Sequence, residues 1–197
     1  MVFGDENIPI PDGLVTEEFL IRPLLATDVA LDYAAVMESK EFLRKWDQSS
    51  WPADDFMLAD NLEDLRRHER EHINRESFTF TVMNAAETEC LGCIYIFPLT
   101  ARWLAKAKTT PLGDTDWEDY EAAILFWIRQ SRLAEAMDRR LLNILRPWFE
   151  QEWTFDGHFF LTNEQLAQQV SMFEAADLQL QIEVQLPDQP GKFRAYT

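Results

Sequence analysis

An α/β (α+β) fold is what this chain predicts, on three observations. Apolar runs of strand length alternate with longer segments of helical spacing, in the order β α α β β, an irregular stretch, then β α β α β β. The 197 residues suit a single domain, 1–197, with a sizeable core. Hydrophobic residues make up 47% of the chain, with seven Trp and fourteen Phe, a composition that excludes disorder.

The opening MVFGDENIPIPDG has neither a basic nor an apolar leader, so residues 1–18 read as an extension and the expected compartment is cytoplasmic. Phe19-Leu-Ile-Arg-Pro-Leu24 is the first expected strand. Thr27 then caps a helix with Val29, Tyr33 and Val36 on one face. Ser39 to Pro52 reads as a polar connection. Asp54 or Asp55 opens a second helix striped by Leu58, Leu62 and Leu65, ending near Asn74. Phe78 to Val82 alternates and pairs with Cys90 to Phe97 across the Asn84 to Glu89 turn, a hairpin. Residues 99–119 form an irregular insertion, basic at first (Arg102, Lys106, Lys108) and acidic later (Asp114, Asp116, Glu118, Asp119), long enough to suggest function.

The next segment carries most of the information. Ala123 to Ile128 is a short apolar run rich in aromatic and β-branched residues, hence a central strand. From Leu133 onward Met137, Leu141, Ile144, Leu145 and Trp148 share one helix face, with Arg139, Arg140 and Asn143 opposite. None of the six glycines lies between Gly113 and Gly157. His158 to Leu161 is another buried strand, and Thr162 with Gln165 forms a capping box for a helix that buries Leu166, Val170 and Phe173. Leu178, Leu180, Ile182, Val184 and Leu186 alternate in a half-exposed strand, and a turn over Asp188 to Gly191 leads to a last strand around Phe193 and Tyr196.

A net charge of −17 disfavours nucleic acid and anionic membrane surfaces, and favours a cationic partner. The longest apolar run is far short of a membrane span. Against this background Arg129, Arg132, Arg139, Arg140 and Arg146, opposed locally by Glu135 and Asp138, make the most basic stretch of the chain. Two readings stand: a solvated helix face, or an anion site at a helix N-terminus.

Three other constellations bear on chemistry. His68-Glu-Arg-Glu-His72 matches the H-E-x-x-H of zinc hydrolases, in which two imidazoles share a helix face with Glu69 beside the metal-bound water. Arg66, Arg67, Arg70 and Arg75 interleave it and no third ligand has a recognisable spacing, so this reading is remote and no metal is expected. Cys90-Leu-Gly-Cys93 lies in a strand, where positions three apart point to opposite faces, so its thiols are expected to pack in the core. A joint site with His68 and His72 is the alternative. Tyr120 and Glu121, beside the acidic loop, are weak catalytic candidates: a phenol and a carboxylate that could handle an ammonium proton, or simply a solvated strand end. No G-x-S-x-G, Walker loop or G-x-G-x-x-G occurs.

Taken together, Phe19-Leu-Ile-Arg-Pro-Leu24 with Asp28, the strand Cys-Leu-Gly-Cys-Ile-Tyr, Phe-Trp-Ile-Arg entering a helix, and Met172-Phe-Glu-Ala-Ala-Asp-Leu178 before an alternating strand resemble the GNAT superfamily of acyl-CoA-dependent N-acyltransferases, over roughly 19–196. The resemblance implies a mixed, mostly antiparallel twisted sheet of about six to seven strands with helices on both faces. Its strands 122–128 and 158–161 would splay to admit acetyl-CoA. It implies cofactor contacts from Trp127, Ile128, Arg129, Arg132, Leu133, Ala134, Ala136 and Met137. The family's R/Q-x-x-G-x-G/A motif falls on Leu133 to Asp138, so Ala136 and Asp138 replace its glycine positions, and Arg129 and Arg132 are expected to compensate. The family's tyrosine acid matches Phe173, and its preceding asparagine falls nearest Leu166 or Asn163. The expected activity is transfer of an acetyl group from acetyl-CoA to an amine of a cationic small molecule or peptide, by a monomer or homodimer. A GNAT-fold binding module without catalysis is the alternative.

Overall fold

Phe19, Leu20 and Ile21 are β-forming residues that alternate between burial and partial exposure, and they build β2 (Phe19–Pro23). The computed structural model describes residues 2–187 and 189–197. Asp188, expected in the last turn, lies outside them. In chain order the elements are β1 (Leu14–Val15), β2, α1 (Val29–Glu38), α2 (Lys40–Asp47), α3 (Leu58–Ile73), β3 (Phe78–Asn84), β4 (Cys90–Pro98), β5 (Lys108–Pro111), β6 (Ala122–Ile128), α4 (Gln130–Leu133), α5 (Met137–Glu152), β7 (His158–Asn163), α6 (Ala167–Ala175), β8 (Leu180–Gln185) and β9 (Phe193–Tyr196). The nine strands form a sheet ordered β1-β2-β3-β4-β6-β7-β9-β8-β5. Most registered pairs are antiparallel. The exception is β6 with β7, parallel at Ala122↔His158, Ala123↔Phe159 and Ile124↔Phe160.

The mixed, mostly antiparallel sheet matches the expectation, but it has nine strands where about six to seven were expected. The additions are edge strands. β1 lies within the N-terminal extension, and β5 lies within the stretch read as irregular, pairing Lys108↔Gln185 through Pro111↔Ile182. Both are too short to show a period. A third correction is α2, which occupies most of the segment read as a polar connection; it buries only Leu43, so its sequence shows no stripe.

The chain divides into two compact units, with boundaries inside β4 and β6. The first comprises Met1–Lys40, Pro52–Tyr95 and Phe126–Thr154. Its core includes an aromatic cluster in which Trp153 lies against Phe78, Phe80, Trp148 and Phe149 at centroid distances of 5.5 to 6.0 Å. Arg22 of β2 forms two 2.8 Å bonds to Asp28, whose carboxylate also accepts the Leu25 N–H, so Asp28 rather than Thr27 organises the turn into α1. α3 likewise begins later than expected, where Asp60 accepts the Met57 N–H at 2.8 Å; Leu58 is exposed there, and the inward positions pass to Asn61 and Leu65. The second unit comprises Glu41–Trp51, Ile96–Leu125 and Phe155–Thr197, with Phe159, Phe160, Phe173 and Tyr196 in its core. There the box expected of Thr162 and Gln165 is replaced: Thr162 donates to Gln169 at 2.6 Å, and the Asn163 carboxamide oxygen accepts the Gln165 N–H at 2.9 Å.

One glycine governs the centre of the first unit. A Cβ at Gly92 would lie 1.9 Å from the Trp127 carbonyl oxygen, so only glycine lets these two backbones approach. Gly92→Ala is expected to destabilise the protein by roughly 3 kcal/mol, read as a lowered urea midpoint at unchanged slope.

Candidate active site

The segment of interest begins where β6, buried along its whole length, ends at Ile128. Its expected continuation as one helix from Leu133 is not what forms. Arg129 is extended (φ −55°, ψ 142°), Gln130–Leu133 make one helical turn, and the chain breaks before α5 starts at Met137. At the break Ala136 adopts the left-handed conformation, φ 53° and ψ 35°. An L-residue pays roughly 1 kcal/mol for this geometry, which glycine adopts freely. The motif match set this position against a family glycine, and it is here that the backbone turns left-handed. Ala134 and Ala136 are exposed, Leu133 is half-buried, and Trp127, Ile128 and Met137 are buried.

The arginines are held by carboxylates distant in sequence. Arg129 pairs with Glu38 and, at 3.0 Å, with Glu89; Arg132 reaches Glu89 at 2.7 Å and Glu135 at 3.1 Å. Arg140 pairs with Glu18 at 2.8 Å. The basic stretch is thus neutralised by more than Glu135 and Asp138, and the added partners Glu18, Glu38 and Glu89 lie far back in the chain. Glu38 also accepts the Ser131 N–H at 3.1 Å, and Ser39 accepts that of Gln130 at 3.0 Å, so the end of α1 caps α4. The Arg129 guanidinium and the Ser131 N–H hold the Glu38 carboxyl well below its ordinary value of 4.5, at about 2.

In the second unit, the Tyr120 hydroxyl lies 2.6 Å from the Thr115 hydroxyl, which donates to Gln181, and the ring stands edge-on to Phe159. Glu121 is exposed and accepts the Asp156 N–H at 3.0 Å. Asn163 spends its amide on the Lys45 and Trp46 carbonyls at 2.7 and 2.8 Å, a structural role. Phe173 is fully buried against Phe160 and Tyr196.

The two motifs met in sequence fare differently. His72 packs against Phe78 and Phe80, with Nδ1 3.3 Å from the Thr79 carbonyl, and burial lowers its pKa. His68 Nδ1 lies 3.2 Å from the Thr79 hydroxyl, while Glu69 accepts the Ala26 N–H at 3.2 Å. Each member of the H-E-x-x-H is therefore engaged with backbone or hydroxyl groups. Cys90 and Cys93, expected on opposite faces, instead join Asp32 with all three ligand atoms within 4.8 Å of one another. Strict alternation therefore does not separate the two thiols. Asp32 is fully buried and accepts a 2.8 Å bond from Asn61. Sequence reasoning missed this pair, because a single acid on an apolar helix face looks solvated.

Solved structures cover nearly the whole chain. RimL, a ribosomal L7/L12 alpha-N-protein acetyltransferase in complex with coenzyme A, is 11% identical over 93% of this chain and 94% of its own, with a TM-score of 0.66. The microcin C7 self-immunity acetyltransferase MccE, in complex with acetyl-CoA and AMP, is 12% identical over 95% and 96%, with a TM-score of 0.65. A ribosomal-protein-S5-alanine acetyltransferase from Vibrio fischeri is 11% identical over 93% of each chain, again at 0.65. The fold is that of the GNAT acetyltransferases. No protein-family model and no curated protein matches the sequence, so the GNAT likeness is one of backbone, carried by about one identical residue in nine.

Two expectations test this junction. Ala136→Gly should raise stability by about 1 kcal/mol, seen as a higher urea midpoint, since it removes a left-handed alanine. Glu38 has a depressed pKa, so its contribution is complete above pH 4.5 and fades as pH falls towards about 2. The stability gap between the wild type and Glu38→Gln, followed by urea unfolding at stepped pH, should close across that window.

Proposed function

We propose that this chain is an N-acetyltransferase that takes acetyl-CoA at the β6–α4–α5 junction and passes the acetyl group to the amine of a cationic small molecule or peptide. The reading is carried by the left-handed Ala136 at the head of α5, within a fold shared with acetyltransferases crystallised with CoA or acetyl-CoA. The residues present fit an anionic co-substrate. α5 is 16 residues long, and in its first turn the Arg139 N–H donates to the Asp138 carboxylate at 2.9 Å, an anion that a phosphate would replace. The Nε atoms of Arg129 and Arg132 are buried without hydrogen-bond partners among the described residues. The Arg132 side chain is 35% exposed, leaving it free to exchange Glu135 for phosphate. Trp127, Ile128, Leu133, Ala134 and Met137 are the accompanying contacts proposed for the pantetheine and pyrophosphate.

The chemistry needs one proton removed and one leaving group released. A neutral amine attacks the thioester carbon; the N–C bond forms, the C–S bond breaks and the thiolate departs as CoA. Glu121 and Tyr120 are the groups proposed to handle the proton of the ammonium. An excess of 35 acidic over 18 basic residues draws a cationic acceptor. A second reading, a binding module without turnover, is favoured by Phe173, which has no proton to give where the family motif has tyrosine.

Calorimetry with acetyl-CoA is expected to give one site, and Arg132→Ala to weaken it about tenfold, the worth of one charge-assisted contact. Absence of binding at millimolar ligand would remove the transferase reading. Thiol release in the presence of polyamines or lysine-rich peptides separates the two readings: turnover that falls at least a hundredfold in Glu121→Gln supports the transferase, whereas saturable binding with no thiol release selects the module.

A further inference from the structure

We infer that Asp32, Cys90 and Cys93 form a binding site for a thiophilic divalent cation of the zinc type. The inference is independent of acyl transfer and rests on placement. All three side chains are buried, at 3%, 1% and 1% exposure, on elements of the first unit. Their ligand atoms lie within 4.8 Å of one another, and Cys93 Sγ approaches Asp32 Oδ1 at 3.5 Å. Metal–sulfur bonds of about 2.3 Å and metal–oxygen bonds of about 2.0 Å set tetrahedral ligand atoms roughly 3.5 to 3.8 Å apart, so the cluster closes on an ion with shifts of about 1 Å.

The surroundings are those of an oriented ligand set. Asn61 holds Asp32 Oδ2 at 2.8 Å, which aims Oδ1 at the thiols, as outer partners of metal carboxylates do. Gly92, required by its approach to Trp127, lies between the two cysteines, and both thiols, three residues apart, reach Asp32. Thr81 Oγ1 lies 3.7 Å from Cys90 Sγ, a hydroxyl at the edge of the cluster. Two thiolates and a soft-metal preference select Zn2+ over Mg2+ or Ca2+, which take oxygen donors. Loading exchanges protons for the ion: each thiol gives up its S–H proton as its metal–sulfur bond forms, and the carboxylate binds through Oδ1. No electron changes hands.

The full chain, expressed with added zinc, is expected to carry one equivalent by elemental mass spectrometry. Refolded with Co2+ in its place, it should develop thiolate-to-cobalt charge-transfer absorption. Cys90→Ser and Cys93→Ser should each abolish that absorption, and Asp32→Asn should weaken Co2+ binding at least tenfold. Circular dichroism checks that each variant is folded. Should the cysteine variants fail to fold, the wild type alone decides the matter: stripping the ion with a chelator should lower its melting temperature, and re-addition of Zn2+ should restore it. Less than a tenth of an equivalent of zinc with no charge-transfer band in the wild type would overturn the site. So would a band that survives in folded Cys93→Ser.

Discussion

The pairing of Arg129 with Glu38 and Glu89 is the constraint on which the junction depends. A buried strand must hand the chain to a helix without leaving a guanidinium unpaired, and at 11% exposure Arg129 has little water to rely on. The two carboxylates come from the end of α1 and from the turn just before β4, so three segments remote in sequence are fixed by one cation. Individually, partly exposed ion pairs contribute about 1 kcal/mol or less. Here they share members: Glu89 also binds Arg132, and Glu38 also caps α4. Because each arginine has two carboxylate partners, removing one member shifts the load to the others, and the effects of single substitutions are not additive. In the proposed site, a polyphosphate would meet arginines already matched and bind by exchanging one anion for another.

A second requirement runs through the interior. Asp32 lies on a face of α1 with Ala35 and Val36, and in that company its carboxyl is pushed up by burial despite the Asn61 hydrogen bond. The hydrogen bond with Cys90, and after it burial, drives the Cys93 thiol well up from its ordinary value, and burial does the same to the Tyr95 hydroxyl. A cluster so desolvated is costly in an apolar core, and hydrogen bonding offsets only part of that cost. The aromatic groups around Trp153 and the Arg22–Asp28 fork supply the packing and the turn geometry that let the first unit carry it.

What the sequence made legible was whatever repeats. The alternation of β3 and β8, the apolar run of β6 and the stripe of α5 each average over several residues, so they survive local exceptions. What it hid depended on single residues meeting at long range. β1, of two residues, and β5, of four, have no measurable period, and α2 has only one buried side chain. Asn61 reads as a helix-surface amide until Asp32 lies opposite. Glu38 and Glu89 carry no local mark as partners of Arg129, 91 and 40 residues away. Cys90 and Cys93 were assigned opposite faces by strict alternation, yet both thiols lie close to Asp32. Of the candidate site, the strand, the helix and the arginines were readable; the break between Leu133 and Met137, and the acids that occupy the arginines, were not.

Ala136 has a consequence at the level of inheritance. Alanine and glycine codons differ at a single base, so the residue that holds this left-handed turn stands one nucleotide change from the residue for which the turn is strain-free. The backbone thus has a shape that its side chain does not advertise, and a reading of the sequence that looks for glycine at turns passes over it.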